Sequence, residues 1–75
     1  MKPIFKWKTR IGVFYICQSG DGWFHPVFEN DSLGSYSQPW QAVEGLAGGH
    51  TFFISSGEDT SELEIPEHTN DWEWV

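Results

Sequence analysis

The sequence lacks most of the features that would assign it to a chemical class. Its single cysteine, Cys17, excludes an internal disulfide. Four basic residues stand against eleven acids, and the net charge of −7 disfavours direct binding to DNA, RNA or an anionic membrane surface. No apolar run approaches the ~20 residues of a membrane span, and the charged start has no apolar stretch of the signal-peptide kind. We therefore expect a cytoplasmic protein.

Recognisable catalytic and metal-binding patterns are also missing. His25, His50 and His68 stand 25 and 18 residues apart, without the close pairs of a zinc site, although a site assembled by the fold stays open. Cys17 with His25 or His50 would begin a thiol–imidazole pair, but an unreactive, partly buried strand cysteine is the alternative that we favour. The sequence thus predicts no enzyme, no metal and no cofactor, and an enzyme using Cys17 and a histidine is the third hypothesis.

Aromatic residues are abundant for a short chain. Five Trp, six Phe and two Tyr among 75 residues can supply a core that aliphatic side chains alone would not fill. All four basic residues lie in the first ten positions, and seven of the eleven acids lie between Glu58 and Glu73. We expect one small domain over 1–75, with 58–75 an acidic, less regular C-terminal segment.

The first half of the chain predicts an antiparallel meander. Residues 3–10 alternate apolar and basic side chains, which suits an edge strand, and 11–18 is the strongest strand. A glycine-rich turn at 19–22 leads into a strand at 23–29, where Pro26 indicates an edge or a bulge. A further short strand is expected at 33–36. Strand 11–18 is apolar on both faces, so its inward face cannot be assigned.

One helix follows the meander. Pro39 suits a first turn after a cap at Ser37 or Gln38, an apolar stripe runs from Trp40 to Ala47, and a glycine pair ends the helix. Residues 51–54 predict a fourth strand. The fold class is therefore α+β, with a three- to four-stranded antiparallel sheet and one short helix packed on it. The predicted core is Val13 or Phe14, Tyr15 or Ile16, and Trp23, Trp40, Val43 and Leu46.

This order of elements resembles that of small uncharacterised bacterial proteins over roughly residues 11–74. The segments that carry the resemblance are Ala-Gly-Gly-His-Thr at 47–51 and the Ile65-Pro66 pair. The resemblance implies a compact bacterial domain and transfers no activity. Three strands followed by a helix are also similar to the order in small antitoxin domains of the HicB type, a likeness of topology alone.

Two binding hypotheses remain for the function. The first is a protein-interaction or regulatory module that uses exposed aromatic side chains. The second is an acidic nucleic-acid mimic that inhibits a basic protein. In either case the partner is another protein, and the chain is a monomer or a weak homodimer. The candidate partner-binding residues are Trp7, Trp72, Trp74, Glu62, Glu64, Glu67 and Asp71.

The two ends of the chain are expected to meet. Segments 4–8 and 71–75 both alternate large apolar with charged residues, and their charges are opposite. This pattern predicts that Trp7 packs near Trp72 or Trp74. It also places Lys6 and Lys8 near some of the acids Glu64, Glu67, Asp71 and Glu73.

Overall fold

The computed structural model describes residues 1–51, 54 and 57–75. In these residues the chain forms an antiparallel sheet of five strands, so the α+β class is confirmed and the predicted strand number was too low. The elements are β1 (Lys2–Thr9), β2 (Gly12–Gln18), β3 (Phe24–Phe28), β4 (Asp31–Ser32), the helix α1 (Pro39–Gly48), 3₁₀ turns at Thr60–Glu62 and Thr69–Asp71, and β5 (Glu73–Trp74). The strand expected at 51–54 falls largely outside the described residues.

The sheet order is β4-β3-β2-β1-β5, which is a four-strand meander with the C-terminus returning beside β1. Tight turns set this register. Thr9 pairs with Gly12 across a two-residue loop. Glu29 and Asn30, between β3 and β4, both have positive φ (51° and 70°), as a two-residue turn matched to the strand twist requires.

The region after β3 differs from its predicted form. In place of a strand at 33–36, β4 lies at 31–32, and Tyr36 makes a single bridge with Phe24. Pro26 lies one strand in from the edge, and its carbonyl accepts a hydrogen bond from the Leu33 N–H at 2.7 Å. The irregularity in the sheet falls between Pro3 and Phe5 of β1.

One face of the sheet packs against α1. Phe14 and Ile16 are fully buried, which assigns the inward face of β2 and turns Val13 and Tyr15 outward. The helix contributes three fully buried side chains, those of Ala42, Val43 and Leu46. Gly49, at φ 73°, ends the helix as predicted.

Two predicted core residues were assigned wrongly. Trp40 is 50% exposed because the buried stripe of α1 runs through Ala42, Val43 and Leu46, and Trp40 lies on its far flank. Trp23 is 45% exposed because it belongs to the turn before β3. Small residues on the stripe let the helix approach the sheet more closely than a tryptophan there would allow.

The predicted meeting of the two chain ends is confirmed. Phe5 pairs with Trp74 and Lys6 with Glu73 across β1 and β5, and the Trp7 and Trp72 rings lie 6.5 Å apart. Lys6 and Glu73 are cross-strand neighbours without an ion pair. The aromatic contacts therefore provide most of the stabilisation, as expected for exposed charges.

Candidate functional site

A groove of about 640 Å³ opens beside the end of β1. It collects three of the residues that the sequence nominated for partner binding, Trp7, Glu62 and Glu64. Two sides define it, one from β1 and one from the first 3₁₀ turn and the residues after it. Its lining is Trp7, Lys8, Thr9, Arg10, Glu62, Leu63 and Glu64, and we call this the β1 groove.

The β1 groove exists because β5 is short. β5 pairs with Phe5 and Lys6 of β1, the Val75 N–H continues the pairing to the Ile4 carbonyl at 2.9 Å, and the chain before β5 turns away in the 3₁₀ turn at Thr69–Asp71. Backbone groups of an antiparallel strand alternate in direction. Since Thr9 closes the hairpin with Gly12, the N–H and C=O of Lys8 point away from β2, where the described residues supply no backbone partner.

Glu64, on the opposite side of the groove, has an unusual backbone. Its φ of 58° lies in the left-handed region, which costs a non-glycine residue about 1–2 kcal/mol. The buried side chains of Leu63 and Ile65 on either side hold the chain in this conformation. The strain keeps a carboxylate on the groove rim at a position where glycine would fit more easily.

Charges of both signs line the rims of the β1 groove. Arg10 donates to Glu58 at 3.0 Å, an exposed pair and the only ion pair in the part of the chain that the structure describes. Asp59 caps the 3₁₀ turn that carries Glu62, since it accepts from the Ser61 N–H at 3.0 Å and from the Ser61 hydroxyl at 2.7 Å. These hydrogen bonds from Ser61 lower the pKa of Asp59.

Aromatic side chains continue from the groove toward β5. Trp74 is 73% exposed, and its ring lies 4.5 Å from that of Phe5. Trp72 is only 4% exposed, and its indole N–H donates to the Pro66 carbonyl at 3.0 Å. Trp72 therefore supports Trp7 from within the fold, whereas Trp74 offers an exposed aromatic surface beside the groove.

The remaining nominated acids lie elsewhere. Glu67 lines a second groove of about 460 Å³ with Tyr36, Glu44 and His50. Asp71 is exposed in the 3₁₀ turn before β5. The acidic residues are thus spread over several surfaces of the described structure and do not form a single strip.

Cys17 and the histidines do not form a thiol site. Cys17 and His25 are cross-strand neighbours, yet no hydrogen bond joins them in the described structure. Burial raises the pKa of the Cys17 thiol, which keeps it protonated. His50 and His68 are exposed elsewhere, and among the described residues no group of three His, Cys, Asp or Glu side chains could hold a metal.

The structure shows one polar cluster that the sequence did not predict. His25 Nε2 lies 3.0 Å from the Ser19 hydroxyl, and His25 Nδ1 lies 2.9 Å from the Gly34 carbonyl oxygen. Ser19 also donates to Asp21, and this bond, followed by one from the Trp23 N–H, lowers the pKa of Asp21. The cluster fastens the β2–β3 turn to the segment after β4. The residues of this cluster are separated by turns. Their spacing in the sequence does not reveal the geometry of those turns.

Outside the core-facing side, the sheet has a second face that α1 does not cover. Val13, Tyr15 and Val27 are half-buried there but do not belong to the core cluster. This second face explains why the sequence of β2 is apolar on both faces of the strand. Within the described residues no helix is long and apolar enough to cross a membrane.

No family model matches the chain, and neither a curated protein nor a solved structure matches it. The β1 groove and the uncovered face of the sheet therefore have to be interpreted from their own residues.

Proposed function

We propose that this protein is a non-enzymatic protein-interaction module that binds a partner protein through the β1 groove and the adjoining Trp74. The observation that carries the proposal is a groove that combines the apolar side chains of Trp7 and Leu63 with charges of both signs and a strand edge at Lys8 with no backbone partner in the described chain. Tryptophan and arginine are enriched among the residues that dominate binding energy at interfaces. Trp74 and Arg10 provide both types here.

An extended segment of the partner fits this groove best. Its backbone would pair with Lys8 on the same edge of β1 that β5 occupies at Phe5 and Lys6, as in strand addition to a sheet edge. One apolar side chain would rest on Leu63 and Trp7. The strained backbone of Glu64 supports this role, because local strain persists where a conformation is needed for function.

We propose a non-enzymatic role on chemical grounds. A protonated, buried Cys17 is a poor nucleophile, and the Ser19 hydroxyl is engaged by Asp21 as well as facing His25. Neither residue lines either of the two described grooves. A single free thiol suits a reducing compartment, so we place the module in the cytoplasm.

Charge-reversed variants used as bait in a lysate of the source organism test the proposal. Lys8→Glu and Glu64→Lys change opposite rims of the β1 groove. Lys2→Glu and Asp31→Lys make the same changes far away, at the other end of β1 and on the opposite sheet edge. We expect wild type and the two distant variants to capture a protein that Lys8→Glu and Glu64→Lys fail to capture. Equal capture by all the variants would refute the groove as the binding surface.

Salt dependence separates this proposal from the nucleic-acid mimic. A mimic held by carboxylates should dissociate steeply as salt rises, since exposed charges are screened beyond about 8–10 Å near physiological ionic strength. A complex anchored by Trp74, Trp7 and Leu63 should persist in high salt. Trp74→Ala should weaken it, whereas a mimic would tolerate that change.

A further inference from the structure

The turn between β2 and β3 contains the one Asp-Gly pair of the sequence, Asp21 and Gly22. An aspartate followed by glycine is the pair in which isoaspartate forms most readily, because glycine has no Cβ to hinder the approach of its amide nitrogen to the aspartate side chain. Asp21 is exposed, and beyond the chain neighbours no described atom lies within 4 Å of the position that a Cβ on Gly22 would occupy. The pair is therefore accessible to water and free of steric protection.

Isoaspartate forms in two steps that conserve all atoms. The Gly22 amide nitrogen attacks the side-chain carboxyl carbon of Asp21, a C–N bond forms, and the amide proton and the hydroxyl of the protonated carboxyl group leave together as water. Water then opens the cyclic succinimide: attack at the former side-chain carbonyl restores aspartate, and attack at the former backbone carbonyl passes the main chain through the aspartate Cβ. The first step therefore needs a protonated carboxyl group and an amide nitrogen that can reach it.

The folded turn opposes this first step at both reacting groups. The Ser19 hydroxyl and the Trp23 N–H, the latter at 3.3 Å, donate to one carboxylate oxygen of Asp21. The bond from Ser19, followed by that from Trp23, lowers the pKa of the Asp21 carboxyl and keeps it ionised, so the hydroxyl that must leave is absent. The Gly22 N–H donates to the Ser19 carbonyl at 3.0 Å, which fixes the orientation of the attacking nitrogen.

We propose that Asp21 is a site of spontaneous isoaspartate formation and that the hydrogen bonds of the folded turn, the Ser19 hydroxyl foremost, restrain the reaction. His25 positions that hydroxyl, since its Nε2 lies 3.0 Å from the Ser19 oxygen while its Nδ1 lies 2.9 Å from the Gly34 carbonyl oxygen. Isoaspartate at this position would lengthen the turn by one backbone atom and withdraw the carboxylate from Ser19. The modification would thereby loosen the cluster that fastens the β2–β3 turn to the segment after β4.

The restraint is local to the turn and does not involve the β1 groove. The turn follows Gln18, which pairs with Lys2 at one end of β1, whereas the groove lies at the other end, beside Thr9 and Arg10. Exposed turns open without unfolding of the whole domain, so the rate of isoaspartate formation should follow the population of the open turn. Loss of one hydrogen bond raises that population about two- to tenfold.

The test is to incubate the purified chain at physiological temperature and pH, digest it, and identify isoaspartate by electron-transfer fragmentation, which separates it from aspartate of equal mass. Isoaspartate at residue 21 should form about two- to tenfold faster in Ser19→Ala than in wild type. Ser37→Ala is the matched control and should behave as wild type, because its hydroxyl donates to Gln41 outside the turn. In urea above the unfolding transition, wild type should react at least about fivefold faster, because both side-chain hydrogen bonds to Asp21 are lost.

Equal rates in a folded Ser19→Ala and in wild type would overturn the restraint, and so would equal rates in folded and unfolded wild type. An unfolded chain that forms no isoaspartate at residue 21, or forms it only at other aspartates, would overturn the site. If Ser19→Ala fails to fold, as judged by circular dichroism, the comparison of folded with unfolded wild type decides.

Discussion

Two tryptophans separated by one residue should differ sharply in what they contribute to stability. Trp72 is 4% exposed, and Trp74 is 73% exposed. Trp72→Ala removes a buried ring that touches Trp7 and an indole N–H that donates to the Pro66 carbonyl. Replacing a buried Trp by Ala typically costs about 3–5 kcal/mol. The free energy of unfolding of a 75-residue domain is about 4–11 kcal/mol, so this loss would remove much of it.

Trp74→Ala should be far milder. The exposed ring gives up its contact with Phe5 at 4.5 Å, which is worth about 0.5–1.5 kcal/mol. Urea and thermal unfolding followed by circular dichroism would measure both variants. The two costs differ by at least about 1.5 kcal/mol, and a domain of this size loses about 4–8 °C of melting temperature per kcal/mol, so the two midpoints should lie at least about 6 °C apart.

Trp72→Phe refines the comparison. It keeps an aromatic ring but leaves the Pro66 carbonyl without its donor, so its stability should fall between wild type and Trp72→Ala. Equal midpoints for Trp72→Ala and Trp74→Ala would refute the account, since they would mean that the C-terminal segment does not pack on β1.

Three further predictions concern single residues. Glu64→Gly should leave the melting temperature unchanged or raise it, because it relieves the left-handed strain, and yet should weaken partner capture; a large loss of stability would contradict this. Gly49→Ala should destabilise by about 1–2 kcal/mol in urea unfolding, since its Cβ would lie 2.7 Å from Asp59 at φ 73°; Gly20→Ala, with no atom within 4 Å, is the control. Asp59 has a lowered pKa in the folded state, so its stabilisation is complete above its unfolded pKa of about 3.9 and is lost as the pH falls through the folded value. Asp59→Asn should therefore reduce the acid sensitivity of unfolding, and an unchanged acid limb would contradict this.

Local signals in the sequence were sufficient for the meander and the helix. Alternating residues, turn-forming glycines and a proline followed by an apolar stripe each depend on neighbours in the chain. The opposite charges and shared alternation of the two chain ends also predicted their contact. The predicted number of strands was too low because β5 is only two residues long, which is too short to show a periodic pattern in the sequence.

Long-range packing accounts for the errors. Nothing local distinguishes a stripe through Trp40 from one through Ala42, because the choice depends on how closely the helix approaches the sheet. The inward face of β2 was ambiguous because both of its faces are apolar. The nominated site residues include Trp72, which supports the groove from inside, and omit Lys8 and Arg10, whose role depends on where β5 stops.

Site-directed photo-crosslinking in cells of the source organism would test the central claim most directly. The photoreactive residue p-benzoylphenylalanine would replace Glu64 on the rim of the β1 groove, and in a matched chain it would replace Asp31 on the opposite sheet edge. We predict a discrete adduct with another protein from the Glu64 position and none from the Asp31 position. Adducts from Asp31 alone, or equally from both positions, would contradict a binding surface at the groove.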